Sequence, residues 1–226
     1  MKKRGIFVAG TGTDVGKTYV SALLVKSLRE RGMNAGYFKP ALSGAVREGE
    51  RLVPGDAQMV CECAGLPGDP ADYVAYCYEP AVSPHLAAQL SGKPIEPDGI
   101  MNRFREIASQ FDYVLTEGCG GIFCPLRTDS RTLLLTDVAS LLGYEVVLVS
   151  PSGLGAINAA VLAVQYAQNR GLHLRAVIMN QFEDENFLHQ DNKKQIERFT
   201  GLEVVPVARN ARTISADFLL ESSALA

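Results

Sequence analysis

The feature that most constrains this chain is the run Gly10-Thr11-Gly12-Thr13-Asp14-Val15-Gly16-Lys17-Thr18. A short apolar stretch, Ile6–Ala9, leads into it, and a helical stripe of Val20, Leu23, Leu24 and Leu28 leads out. Apolar strand, glycine-rich turn and amphipathic helix, in that order, are the context of a phosphate-binding loop. Glycines let backbone N–H groups converge on one anion, and the helix N-terminus adds partial positive charge. Lys17 is placed to reach the outer phosphates, and the Thr18 hydroxyl to ligate Mg2+. The loop is one residue longer than usual: five residues separate Gly10 from Gly16, where the common pattern has four.

A strand–loop–helix of this kind needs a parallel sheet, and the pattern supplies one. Further apolar runs occur at Ala35–Lys39, Tyr113–Thr116, Glu145–Val149, Leu174–Met179 and Glu203–Val207. Several are continuous, as strands buried on both faces require. Helical stripes lie between them: Ile100, Phe104, Ile107 and Phe111, then Ile157, Ala160, Val161 and Val164. The stretch from about Ser43 to Pro97 is less regular and rich in Gly and Pro, with helices expected near Ala57–Ala64 and His85–Leu90. Alternating strands and helices predict an α/β fold, a parallel sheet with helices on both faces. At about 150 residues per domain, the 226 residues allow one large domain or two small ones. No linker or internal repeat divides them, so residues 1–226 are read as a single domain.

Composition removes several function classes. A hydrophobic share of 47% against 21% charged residues excludes a disordered or collagen-like chain. A formal charge of −3 argues against a dedicated nucleic-acid binder. No run reaches the roughly 18 apolar residues of a membrane helix. The start, Met1-Lys2-Lys3-Arg4, mimics an export signal, but its apolar run is short and enters a Gly/Thr loop rather than a cleavage site. Five Cys at spacings that suggest no disulfide framework point to a reducing cytoplasm.

Three charged residues sit where ligands bind in open parallel sheets, beyond the carboxyl ends of strands. Lys39 ends the second apolar run and is either a solvated lysine or a neighbour of the phosphate loop. Asp56, in Pro54-Gly55-Asp56-Ala57, is either a helix cap or a metal ligand. Glu117 follows Tyr113–Thr116 and precedes Gly118-Cys119-Gly120-Gly121, a position suited to a nucleotide-bound Mg2+ or to a turn acid. Thr18, Asp56 and Glu117 together would supply three oxygen ligands.

At this point the residues resemble the dethiobiotin synthetases of biotin biosynthesis. The long loop from Gly10 to Thr18 is similar to that family's phosphate loop. Tyr37-Phe38-Lys39-Pro40, Ser43-Gly44, Gly55-Asp56-Ala57, Ser83-Pro84-His85 and Glu117–Gly121 follow in the same order. Gly153-Leu154-Gly155-Ala156-Ile157-Asn158 and Asn180 complete the set. The resemblance implies a single-domain sheet like that of phosphate-loop nucleotidases, working as a homodimer. It implies ureido-ring closure on 7,8-diaminopelargonate with CO2 and MgATP, through a carbamate and a carbamic–phosphoric anhydride. By resemblance, Gly12, Thr13, Asp14, Val15, Gly16, Lys17, Thr18, Glu117 and Gly118 surround the phosphates. Lys17, Lys39 and Thr13 serve the reaction, and Thr18, Asp56 and Glu117 hold Mg2+. Thr13, Asp14, Lys39 and Ser43 line the diamine and carbamate end. Gly153, Gly155 and Asn158 hold the substrate carboxylate across the dimer, Asn180 reads adenine, and Pro206 walls the base. Departures from the family are Cys119, Ala159 and Ser150-Pro151-Ser152.

Other residues attract no role. Cys61-x-Cys63 lacks a second ligand pair, and Cys77 and Cys124 read as small packed residues. His85 packs near a helix start, His173 and His189 read as loop or surface, and Glu183-Asp184-Glu185 as a solvated turn. The alternative class is a partner-regulated ATPase switch resembling the partitioning ATPases. Those usually carry an extra lysine early in the loop, and Gly10–Thr13 has none. The C-terminal Phe218–Ala224 is also no basic amphipathic membrane helix.

Overall fold

The computed structural model describes residues 4–220; Met1–Lys3 and the tail 221–226 lie outside the described residues. The elements run β1 (Arg4–Gly10), α1 (Lys17–Glu30), β2 (Ala35–Ser43), β3 (Val46–Glu48), β4 (Arg51–Val53) and α2 (Gly55–Ala64). After a 3-10 turn at Pro70–Tyr73 come β5 (Val74–Tyr78), α3 (Pro84–Leu90), α4 (Pro97–Gln110), β6 (Tyr113–Glu117), β7 (Pro125–Thr128) and β8 (Thr132–Leu134). Then follow α5 (Leu135–Leu142), β9 (Glu145–Pro151), α6 (Ala156–Asn169), β10 (Leu174–Phe182), α7 (Phe187–Thr200), β11 (Val204–Ala208) and α8 (Asp217–Leu220).

Seven strands form one parallel sheet in the order β11-β10-β9-β1-β6-β2-β5, with helices on both faces. The strand that feeds the phosphate loop is central because its run Ile6–Ala9 is apolar and buried: Phe7, Val8 and Ala9 have no exposed surface. Buried apolar residues from both faces form one connected core. The β3–β4 and β7–β8 hairpins stand apart from the sheet.

All six expected strands are present; β11 starts at Val204 rather than Glu203. The seventh, β5, is an edge strand whose burial alternates, with Ala75 and Cys77 only half-buried, so it offers no continuous apolar run. Its presence corrects the placement of Lys39. The second strand does not end there but runs on to Ser43, because β5 pairs with it from Lys39 to Ser43 after β6 has stopped. The α6 stripe also needs correction. The buried face is Ala156, Ala160, Ala163, Val164 and Ala167, whereas Ile157 and Val161 are half-exposed. Helix α7 escaped the apolar pattern, although its ends are marked: the Asn186 side chain caps it by accepting from Leu188 N–H, and Gly201 terminates it in the left-handed region. The Glu183–Glu185 acids are exposed just before it.

Where helix α4 docks on β2, Phe38 meets Phe104 with ring centroids 5.6 Å apart. Beside it, Gly36 lets the Phe111 ring approach so closely that an added Cβ would lie 2.3 Å from it. Phe111 is itself buried and cannot swing away. Gly36→Ala is therefore expected to destabilise the fold by about 1–3 kcal/mol, the usual cost of overpacking. Urea denaturation measures this, and an unchanged midpoint would contradict the packing argument.

Candidate functional site

The carboxyl edge of the sheet carries the site. Strand β1 ends at Gly10, and the loop is moored on both sides: Thr11 N–H donates to Val149 O at 2.9 Å and Ile122 N–H to Gly10 O at 2.7 Å. Gly16 opens α1 with φ 94, and a Cβ there would fall 2.0 Å from Asn180 Nδ2. Only glycine meets both conditions. Asp14 also lies in the left-handed region, at φ 58. The Lys17 side chain folds back along the loop and donates to Gly12 O at 3.0 Å.

Strand register brings the charged residues together. Because β2 and β6 are paired at Phe38 and Thr116, Lys39 and Glu117 each follow one step further along adjacent strands. Lys39 Nζ donates to Glu117 Oε1 at 2.7 Å and to Asp56, from the first turn of α2. The Thr18 hydroxyl donates to the same Oε1 at 2.8 Å, and the Tyr37 hydroxyl donates to Oε2 at 2.9 Å. Lys39 is only 2% exposed and Glu117 not at all, which disposes of a solvated lysine and a turn acid. Asp56 makes no helix-capping hydrogen bond.

The electrostatics of the two lysines differ in sign. Burial pushes the Lys39 ammonium down, but the charges of Glu117 and Asp56 and hydrogen bonds to them outweigh it, and its pKa rises. Lys17 forms no such ion pair among the described residues. Burial first, then the neighbouring Lys39, lowers its pKa below the ordinary lysine value, against a smaller upward pull from Glu117. Burial and the Glu117 charge hold the Tyr37 phenol well above its usual range, so it stays a donor.

A cavity of about 420 Å³ opens over these groups, lined among others by Thr13, Asp14, Gly16, Lys17, Thr18, Lys39, Ser43, Asp56 and Glu117. A second cavity of about 410 Å³, between β4 and α2, includes none of them. Gly118 does not line the pocket; its N–H ties the end of β6 to Val8 O at 2.8 Å. Asn180, Pro206, Gly153, Gly155 and Asn158 also stand outside the cavity lining. Asn180 Nδ2 donates to Val15 O at 3.1 Å, so it adjoins the phosphate loop from β10. Pro206 is exposed on β11 opposite Met179. Gly153 and Gly155 precede α6, with Gly155 as its N-cap at φ 89, and Asn158 lies exposed in its first turn. Among the described residues, no three His, Cys, Asp or Glu converge into a protein-only metal cage.

Sequence reasoning assigned no role to Tyr37, Tyr19 or Asn192. Tyr37 stands two residues before Lys39, hence on the same face of β2, and that spacing was a usable signal. Tyr19 lines the cavity and donates to Ala211 O. Asn192, buried in α7, donates to Ser152 O at 2.8 Å and Gly153 O at 2.9 Å, and nothing local announces it. Cys119 also lines the cavity; its thiol pKa is lowered by hydrogen bonding to Cys124.

A central strand, a glycine-rich loop with its lysine and threonine, and a strand-end carboxylate define a phosphate-loop nucleotide-binding α/β protein. The family described as an AAA domain matches residues 4–214. Solved structures with this fold include the MinC:MinD cell division protein complex of Aquifex aeolicus, at TM-score 0.55 and 14% identity, covering 96% of this chain and 85% of that one. A ParA family ATPase from Chlorobium tepidum TLS gives TM-score 0.55 and 16% identity over 96% and 89%. Identities this low show the fold alone. Sequence relatives are closer. An ATP-dependent dethiobiotin synthetase of Clostridium botulinum (strain Eklund 17B / Type B) is 43% identical over 89% of this chain and 88% of its own length. Its counterpart in Clostridium novyi (strain NT) is 41% identical over 89% and 85%. The chain belongs to the ATP-dependent dethiobiotin synthetase family.

Opposite pKa shifts in one pocket predict opposite stability effects. A lysine whose folded pKa lies below its unfolded value of about 10.4 opposes folding while charged, and stability rises as pH climbs between the two values. A raised pKa stabilises the fold below the unfolded value and is lost only above it. Lys17→Met is therefore expected to raise the melting temperature of the ligand-free protein while abolishing nucleotide binding. Lys39→Met, which strands a buried carboxylate, should cost about 3 kcal/mol or more. Calorimetry with nucleotide titration checks both, and a lower melting temperature for Lys17→Met would refute the first.

Proposed function

We propose that the protein is an ATP-dependent dethiobiotin synthetase acting on 7,8-diaminopelargonate, CO2 and MgATP, as a single 1–226 domain that works as a cytoplasmic homodimer. The observation that carries this reading is the convergence of Lys17, Thr18, Lys39, Asp56 and Glu117 on one cavity at the carboxyl edge of the sheet. No lysine precedes Lys17 in the loop, so the likeness to MinD and ParA structures does not extend to a switch.

The backbone of Gly12–Thr18 cradles the phosphates at the N-terminus of α1. Asn180 reads the base beside Pro206, and Gly118 holds the end of β6 against β1. Thr13, Asp14 and Ser43 receive the diamine, whose cationic amines suit the Asp14 carboxylate. One amine captures CO2 as a carbamate. The carbamate oxygen attacks the γ-phosphate, displacing ADP, and the second amine then closes the ring and expels phosphate. Lys17 and Lys39 neutralise charge on the carbamate and on the transferring phosphoryl group, and the pocket holds the two reactants together.

Thr18, Asp56 and Glu117 fit Mg2+: the two carboxylates already face a cation, the Lys39 ammonium, and the Thr18 hydroxyl lies on the same oxygen. Bound there with the phosphates, Mg2+ would neutralise charge on the transferred group. Gly153, Gly155 and Asn158 open α6, and this N-terminus would take the substrate carboxylate of a second copy. Exposed apolar residues before and along α6 support a dimer: Leu154 is 93% exposed and Leu162 56%, and Phe123, 62% exposed, lies edge-on to Tyr166 at 5.5 Å.

The purified protein should convert 7,8-diaminopelargonate, bicarbonate and MgATP to dethiobiotin, ADP and phosphate. ADP formation at the same rate without the diamine would overturn the ligase reading. Leu154→Asp should shift the sedimenting species toward monomer and raise KM for the diamine more than KM for ATP. A dimer with normal kinetics would remove the interface assignment.

A further inference from the structure

Glu117 is a fully buried carboxylate held by three donors. Two of them, the Thr18 hydroxyl at 2.8 Å and the Lys39 ammonium at 2.7 Å, share Oε1. Both have work elsewhere in the function proposed above, Thr18 on the metal and Lys39 on the transferring group. The third donor is the Tyr37 hydroxyl, which holds Oε2 alone at 2.9 Å. Its residue is fully buried in β2 and lies outside the cavity lining, so it touches neither nucleotide nor diamine there.

The placement follows from register. Tyr37 and Lys39 share one face of β2, while Tyr37 pairs with Leu115 of β6, two residues short of Glu117. A phenol spans that offset and arrives at the oxygen that Lys39 does not hold. The terminal torsion of a glutamate is broad, so the backbone does not decide which oxygen faces the site. A donor on Oε2 does decide it. That donor also remains when Lys39 turns to a phosphoryl group, when a buried carboxylate would otherwise lose compensation for its charge.

We propose that Tyr37 is a positioning residue for the reaction: it pins Oε2 of Glu117, so that Oε1 alone faces the metal while Lys39 shifts its contacts. The proposal rests on the reading of Glu117 as a metal ligand. A tyrosine that only fills the core would affect stability and leave metal affinity untouched.

The experiment measures Mn2+ binding by electron paramagnetic resonance, with a non-hydrolysable ATP analogue present, in wild type, Tyr37→Phe, Glu117→Gln and the double variant. Tyr37→Phe should weaken Mn2+ by about tenfold or more, the usual cost of losing a partner that orients a ligand. Affinity for ADP in excess chelator should stay at its wild-type value. In the Glu117→Gln background, Tyr37→Phe should cause no further loss. Wild-type Mn2+ affinity in Tyr37→Phe would overturn the proposal, and so would an undiminished loss in the Glu117→Gln background. If Glu117→Gln itself leaves Mn2+ affinity intact, the metal reading of Glu117 fails instead. Should Tyr37→Phe fail to fold, denaturation of Glu117→Gln and the double variant decides. Similar stability of those two supports a role through Glu117, and an equally unfolded double variant refutes it.

Discussion

One buried ammonium organises the site. Lys39 lies between Glu117 and Asp56, and a carboxylate with no exposed surface is tolerable only with such compensation. Three elements meet through it: β2 brings the lysine, β6 the glutamate and α2 the aspartate. The first turn of α1 joins through Thr18. Substitution of the lysine leaves two carboxylates without their cation at the edge of the sheet, so the geometry of the pocket and the stability of its surroundings are tied. The neighbouring Lys17 shows the contrast. It is buried beside another cation and without an ion-pair partner among the described residues, so its pKa is lowered.

Much of this was legible in the sequence, for specific reasons. Continuous apolar runs such as Ile6–Ala9 and Tyr113–Thr116 read as central strands because both their faces are covered. The loop read as a phosphate site because strand, glycines and helix agreed. Strand β5 was not legible, since its half-buried Ala75 and Cys77 break the pattern at an edge. That omission alone misplaced Lys39 at a strand end. The α6 stripe misled for another reason. Helix–sheet packing there uses mostly alanines with Val164, while Ile157 and Val161 are only partly buried, on the helix that also carries exposed Leu162.

Tyr37 and Asn192 illustrate the limit of local reading. Both sit in ordinary contexts and act through partners far along the chain, Glu117 in one case and the Ser152–Gly153 backbone in the other. Only register and packing reveal them. The glycine-rich loop advertises itself by composition; the residues that hold the site's groups in place do not.

A short relay of hydrogen bonds joins the phosphate loop to the entrance of α6. Ser152 Oγ donates to Asn180 O at 2.6 Å, and Asn180 Nδ2 donates to Val15 O at 3.1 Å. The entrance to α6, the end of β10 and the phosphate loop are thereby strung together. Under the function proposed above, nucleotide that orders the phosphate loop would also restrict the entrance to α6 through these contacts.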